Sequence, residues 1–170
     1  PQDYSVYVIK EDYVDENLLF VGTEKSVYFS NDRGTTWEQL GSNLPTVAIH
    51  DLVIHPRDGD LVAGTHGRSI WILDDISPLR FLNEKEDNLL PTRISTKWVK
   101  INTGRKQPFF EFRGENPPYG TLINFFSTSN TKGELIISKN NVDDNSKETI
   151  FRKSLNIKAS LLYTSDAADE

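Results

Sequence analysis

The stretch SNDRGTTW (30–37) decides the fold more than any other part of the chain. It lies between the runs SVYFS (26–30) and TWEQL (36–40), whose β-branched and aromatic residues are typical of strands, so it is predicted to be the turn that joins them. Gly34 can adopt a positive φ, and the carboxylate of Asp32 can accept hydrogen bonds from N–H groups of its own turn. A carboxylate held in this way is a poor acid or base, so we predict that Asp32 stabilises a turn.

Five positions of this stretch fit the pattern Ser-x-Asp-x-Gly-x-Thr-Trp, which is called an Asp-box. We expect the tryptophan at its end to begin the next strand and to pack beneath the hairpin. A structural role is therefore assigned to Ser30, Asp32, Gly34, Thr36 and Trp37.

The rest of the N-terminal half consists of similar short apolar runs, each bounded by Gly, Asn, Asp or Pro, without a long stretch of helical periodicity. Their polar connections are short, which is typical of antiparallel strands that follow one another. The chain is therefore predicted to be all-β, with further strands at SVYVI (5–9), LLFVGT (18–23), VAIHDLVIH (47–55), DLVAGT (60–65) and SIWIL (69–73).

An internal repeat relates two of these hairpins. LLFVGTEKSVYFSND (18–32) aligns with DLVAGTHGRSIWILDD (60–75) at an offset of 42 to 43 residues, and the alignment keeps the pair Gly-Thr. Repeats of about 40–45 residues with several short strands are typical of β-propeller blades. The alternative is a pair of similar hairpins in an unrelated sandwich.

The character of the sequence changes after residue 80. We predict about two four-stranded blades over 1–80, a charged linker over 81–92, and the first strands of an Ig-like β-sandwich over 93–160. The segment LLYTSDAADE (161–170) resembles the translation of a sequencing adaptor and is expected to be non-native. The chain, which contains no methionine, is expected to be a fragment of a longer protein.

Composition excludes several classes of function. The 19 Lys and Arg residues against 25 Asp and Glu residues give a net charge of −6, so nucleic acid is not expected as a partner. The absence of cysteine excludes disulfides and thiolate metal sites. No apolar run is long enough to span a membrane, and no cofactor is expected.

The hairpin THGR (65–68) carries the main candidates for ligand binding. In propellers, the turn between the second and third strands of a blade and the connection between blades open on one face, and ligands usually bind there. The Asp-box turn lies on the opposite face. We therefore expect a ligand near Glu24, Lys25, Asn43, His66 and Arg68, with a solvated turn as the alternative.

Two further sets of residues are not expected to form sites. His50 and His55 are predicted in one strand, five residues apart, so they face opposite sides and cannot bind one metal ion together. Asp74 and Asp75 are adjacent, and the same alternation would separate them, so they cannot form the facing carboxylate pair of a glycoside hydrolase.

Residues 18–80 as a whole resemble the last blades of large bacterial Asp-box propeller proteins, described as sortilin-like or glycosyl-hydrolase-like. FRGENPPYGTLINFF (112–126) resembles the start of the β-sandwich that follows the propeller in that family. The resemblance implies a secreted or periplasmic protein whose remaining blades lie elsewhere in the parent chain. It transfers no catalytic residue to this chain.

Two functions are therefore considered. The first is a non-catalytic surface that binds an extracellular protein or polysaccharide. The alternative is a glycoside hydrolase whose catalytic carboxylates lie mainly in blades outside this sequence.

Overall fold

In the computed structural model, the structure describes residues 3–41, 43–82, 86–94, 121–140, 146–157 and, for the backbone alone, 162–167. The described residues are nearly all-β. The predicted all-β class is confirmed. The chain divides into two compact units, 1–83 and 84–170.

The described part of the first unit contains two antiparallel sheets and a 3₁₀ helix. The elements are β1 (Val6–Glu11), β2 (Leu19–Thr23), β3 (Val27–Ser30), β4 (Glu38–Gln39), β5 (Ile49–Ile54), β6 (Leu61–Thr65), β7 (Ile70–Leu73) and the helix Ser77–Phe81. Sheet A pairs its strands in the order β1-β2-β3-β4, and sheet B in the order β5-β6-β7, so each strand lies beside its neighbour in sequence.

Sheet B has three strands where a four-stranded unit was expected, because the chain leaves β7 through a helical turn. Asp75 has a φ of 56°, which is incompatible with a continuing strand. Its carboxylate accepts hydrogen bonds from the N–H of Ser77 at 3.1 Å and from the Ser77 hydroxyl at 2.6 Å, at the start of the 3₁₀ helix. Asp74 and Asp75 lie beyond the strand, so our argument from strand alternation does not apply to them.

Sheets A and B share one apolar core. Strand β5 of sheet B buries Ile49, Leu52 and Ile54, and sheet A contributes Phe20 and Phe29. The remaining buried members of the cluster are Leu18, Val27, Val47, Leu61, Ala63 and Ile76. The two sheets are therefore held together by the hydrophobic effect along β5.

Gly22 lies at a close approach between the two sheets. A Cβ atom on Gly22 would lie 2.8 Å from Cγ2 of Ile49 in sheet B and 2.7 Å from Cγ1 of Val8. The repeat-related Gly64 has more space, since the nearest atom to its Cβ would be the carbonyl oxygen of Asp51 at 3.7 Å. Only the first glycine of the repeat is therefore required by packing.

Gly22→Ala is expected to lower the free energy of unfolding by about 1–3 kcal/mol, because the added methyl group overlaps Ile49 and Val8. The matched variant Gly64→Ala is expected to leave it nearly unchanged. Urea denaturation followed by circular dichroism measures both. Equal destabilisation by the two substitutions would contradict the packing argument.

A buried ion pair connects the beginning of this unit to its end. The Arg80 guanidinium donates to both carboxylate oxygens of Asp12, with Nε to Oδ2 at 2.6 Å and Nη2 to Oδ1 at 3.0 Å. The Asp12 side chain is fully buried, and that of Arg80 is 19% exposed. Asp12 also accepts a hydrogen bond from the N–H of Asp15 at 3.1 Å. Since a buried carboxylate is costly without a partner, the pair fixes the helix Ser77–Phe81 to the connection between β1 and β2.

Arg80→Ala is expected to lower the free energy of unfolding by about 3 kcal/mol, because it leaves the Asp12 charge buried and unpaired. Arg33→Ala provides the control. Arg33 makes a comparable two-point contact with Glu16, but both side chains are 64% exposed, so the expected loss is below about 1 kcal/mol. A similar urea midpoint for the two variants would show that burial does not matter here.

The second unit contains two further antiparallel sheets in its described residues. Their strands are β8 (Asn88–Leu89), β9 (Thr121–Phe126), β10 (Thr131–Asn140), β11 (Lys147–Ile157) and β12 (Leu162–Ala167). The strand orders of the two sheets are β12-β9-β8 and β10-β11.

β8 lies within the predicted linker, and β12 lies within the segment that we expected to be non-native. Residues 95–120, near the start of the predicted sandwich, lie outside the described residues, and these include most of the family-like stretch 112–126. The sandwich stays a prediction.

Candidate functional site

Three connections of the first unit meet at one end of sheets A and B. The N–H of Glu24 donates to the carbonyl oxygen of Ser5 at 3.0 Å, and the N–H of Val47 donates to that of Lys25 at 3.0 Å. The N–H of His66 donates to the carbonyl oxygen of Ala48 at 2.8 Å. We call this the upper end. It is formed by the starts of β1 and β5 and by the turns β2–β3 and β6–β7.

The same threonine in each repeat orders the turn at this end. In the β2–β3 turn, Oγ1 of Thr23 accepts hydrogen bonds from the N–H groups of Lys25 at 3.2 Å and Ser26 at 3.1 Å. In the β6–β7 turn, the Thr65 hydroxyl donates to the carbonyl oxygen of Ser69 at 2.6 Å and accepts from the N–H of Arg68 at 3.1 Å. The repeated Gly-Thr pair therefore shapes the turns that carry the predicted ligand residues.

A β-bulge occurs at the same place in β1 and in β5, the first strand of each sheet. The register against Gly22 and Thr23 shifts between Val6 and Val8, which makes Tyr7 the extra residue of β1. An equivalent shift between Ile49 and Asp51 makes His50 the extra residue of β5. Bulges redirect side chains and are frequent beside functional sites.

The two bulged residues and the β6–β7 turn form a row of aromatic side chains at the upper end. The rings of Tyr7 and His50 are stacked, with centroids 5.2 Å apart and planes at 26°. The rings of His50 and His66 are 5.1 Å apart and tilted by 59°, and Nε2 of His50 lies 3.0 Å from Nδ1 of His66. All three side chains are exposed. We call Tyr7, His50 and His66 the aromatic row.

A lysine lies over an aromatic pair formed by Tyr4, which precedes β1, and Tyr28 in β3. Nζ of Lys25 is 4.2 Å from the centroid of the Tyr4 ring, which is close enough for a cation–π interaction. The Tyr4 ring lies 6.3 Å from that of Tyr28 in β3, at 31°. The ammonium group of Lys25 is thereby held near the surface of the upper end.

The predicted ligand residues are distributed unevenly. Glu24, Lys25, His66 and Arg68 all lie in the two turns of the upper end, whereas Asn43 borders an apolar cleft. This cleft is lined by Val27, Leu40, Gly41, Leu44, Leu61, Ala63, Trp71, Ile72 and Leu73. Their roles in binding remain predictions.

Sequence reasoning did not select Tyr7 or His50 as candidates. One signal could have found them, because they are 43 residues apart and so occupy equivalent positions of the repeat. His55 lies just beyond β5, and its Nδ1 is 3.2 Å from Oδ2 of Asp58. Among the described residues, no group of three or more His, Cys, Asp and Glu side chains could hold a metal ion.

The SNDRGTTW turn lies at the opposite end of β3, beside the β1–β2 connection, where the N–H of Arg33 donates to the carbonyl oxygen of Asn17 at 3.0 Å. Asp32 accepts hydrogen bonds from the Thr36 hydroxyl at 2.6 Å, the Thr36 N–H at 2.8 Å and the Ser30 hydroxyl at 2.7 Å. These bonds, of which that from the Thr36 hydroxyl has the largest effect, lower the pKa of Asp32 from 3.8 to about 2.

Gly34 and Trp37 complete this turn. Gly34 has a φ of 89°, and its N–H donates to Oγ of Ser30 at 2.8 Å. The indole N–H of Trp37 donates to the carbonyl oxygen of Gly34 at 3.0 Å. Each of the five motif residues therefore has a contact within the turn, and the Asp32 carboxylate is occupied by its neighbours.

Comparison with known proteins adds no assignment: no family model, no curated protein and no solved structure matches the chain. Within the described residues, no helix has the length and apolar character needed to cross a membrane.

Asp32→Asn is expected to lower stability at neutral pH and to reduce the acid sensitivity of the protein. The native pKa of Asp32 lies below its ordinary value, so its contribution is present above pH 3.8 and is lost as the pH falls to about 2. The gap in thermal midpoint between the two proteins should therefore close over that interval. Asp3→Asn, at an exposed carboxylate, is the control. A gap that is independent of pH would contradict the assignment.

Proposed function

We propose that this chain is part of a secreted or periplasmic Asp-box β-propeller protein whose upper end binds an extracellular polysaccharide. The observation that carries the proposal is the aromatic row, in which two bulged strand residues and a turn residue present exposed rings side by side. Support for the propeller comes from the 42- to 43-residue repeat and from the sequential antiparallel pairing in both sheets.

The aromatic row has the chemistry that recognises sugars. Flat ring faces bind the C–H faces of a pyranose, while N–H and O–H groups at the ring edges bind its hydroxyls. Tyr7 is 50% exposed and already packed on one neighbour, so little entropy is lost when a ligand covers it. Lys25 and Arg68 in the adjacent turns add positive charge, which favours a polysaccharide with acidic substituents.

Two described carboxylates, those of Asp32 and Asp75, are engaged by hydrogen bonds away from the upper end. A glycoside hydrolase needs two carboxylates about 5–9.5 Å apart around the scissile bond. The Asp32 carboxylate is hydrogen-bonded within its own turn at the opposite end of β3, and the Asp75 carboxylate accepts a hydrogen bond from the Ser77 hydroxyl. Neither carboxylate is placed to act on a ligand at the upper end.

Neighbouring blades of the parent chain are the partners that we propose for the exposed apolar residues of this unit. In sheet A, Val6 is 51% exposed and Ile9 is 58% exposed. In the edge strand β7, Ile70 is 67% exposed and Ile72 is 60% exposed. Such faces are covered when repeats stack, since a single repeat cannot bury both sides of its sheet.

Tyr7→Ala is expected to weaken polysaccharide binding roughly tenfold, which corresponds to the loss of one aromatic contact of about 1.4 kcal/mol. Affinity electrophoresis and titration calorimetry against a panel of neutral and acidic soluble polysaccharides measure the change. The control is Tyr13→Ala. Tyr13 is 68% exposed and lies in the β1–β2 connection, away from the upper end.

The outcomes separate the proposal from its alternatives. Equal loss of affinity in both variants would remove the aromatic row from the binding site. Release of reducing ends from the polysaccharides would favour the glycoside hydrolase. Binding to an extracellular protein, without binding to any polysaccharide, would show that the ligand is a protein.

A further inference from the structure

The imidazoles of His50 and His66 form a close pair at the upper end. Nε2 of His50 and Nδ1 of His66 are 3.0 Å apart, and both side chains are exposed. We propose that these two nitrogens bind one divalent transition-metal ion, such as Zn²⁺. The proposal rests on this geometry and does not depend on the polysaccharide hypothesis.

The distance between the nitrogens fits a shared metal ion. Imidazole nitrogens bind Zn²⁺ at about 2.0–2.1 Å, so two ligands that subtend roughly 90–109° at the metal are about 2.9–3.4 Å apart. The observed 3.0 Å lies within that interval. Imidazole is also the side chain that suits Zn²⁺, Cu²⁺ and Ni²⁺.

Both imidazoles are attached to ordered backbone. His50 is the bulged residue of β5, and its ring is stacked on Tyr7 with centroids 5.2 Å apart. His66 follows β6 directly, and its N–H is bonded to the carbonyl oxygen of Ala48 at 2.8 Å. Ligands carried by fixed strands and tight turns lose less entropy on metal binding than ligands on free loops.

Metal binding requires one proton to leave the contact between the two imidazoles. Without a metal, a ring N–H of one histidine donates to the lone pair of the other, so the contact holds one proton. A metal ion needs both lone pairs. The proton therefore moves to the far nitrogen of the same ring, or to solvent if that nitrogen already carries one.

The proposed site is open and exchangeable. Structural zinc sites have four protein ligands, whereas the described residues provide no group of three or more His, Cys, Asp and Glu side chains. Water or a ligand oxygen would fill the remaining positions. His50 was expected to lie in one strand with His55, and the structure brings it to His66 instead.

Equilibrium dialysis of the tag-free chain against Zn²⁺ tests the proposal. We expect the wild-type protein to retain one Zn²⁺ per chain, and His50→Ala and His66→Ala each to weaken retention at least tenfold. His55→Ala is the matched control, because His55 and Asp58 form a separate close pair of candidate ligands, at 3.2 Å. His55→Ala is expected to retain the ion.

Circular dichroism confirms that each variant is folded, and His66→Gln replaces His66→Ala if that variant is not. No retention by the wild-type protein, or retention that His55→Ala abolishes and the other two variants do not, would overturn the proposal. Polysaccharide binding is measured separately with a chelator present. Zn²⁺ binding without polysaccharide binding would contradict only the proposed function. Polysaccharide binding without Zn²⁺ binding would contradict only the metal site.

Discussion

The contact between Gly22 and Ile49 is the constraint on which the first unit depends. Because Gly22 has no side chain, strand β5 of sheet B can lie directly against sheet A. A Cβ atom on Gly22 would be 2.8 Å from Ile49. Ile49 immediately precedes the bulge of β5. The packing that buries Ile49 therefore also places His50 beside Tyr7, so the core and the aromatic row are consequences of one close approach.

Two local features of the repeat, the bulges and the threonine-closed turns, place side chains at the surface of the upper end. The bulges make Tyr7 and His50 extra residues that are free of the strand pairing. The threonines of the Gly-Thr pairs close the turns in which Lys25 and His66 lie. Because both features belong to the repeat, each copy places its variable residues at the same end, and the two copies differ in which residues they present.

Local patterns were sufficient to predict the all-β class, the strands of the first unit and the SNDRGTTW turn, because period-two alternation and turn chemistry act over a few residues. They were not sufficient for sheet B. The expected fourth strand is replaced by a 3₁₀ helix because Asp75 adopts a positive φ, and its carboxylate accepts a hydrogen bond from the Ser77 hydroxyl at the start of that helix. The His50–His66 contact was also missed, since a bulge depends on the register of the partner strand, which strand alternation cannot predict.

The two ends of the first unit use polar side chains in opposite ways. At the SNDRGTTW turn, Asp32 accepts hydrogen bonds from its own neighbours, which stabilises the carboxylate and lowers its pKa to about 2. At the upper end, the polar edges of the aromatic row lie at the surface, and Nε2 of His50 contacts Nδ1 of His66, the two nitrogens of the proposed metal site. A group satisfied by its own turn gains little from a ligand, whereas exposed rings and nitrogens gain both contact area and ligation. For this reason the aspartate of the most recognisable motif stabilises the fold, and the less recognisable bulges carry the proposed binding.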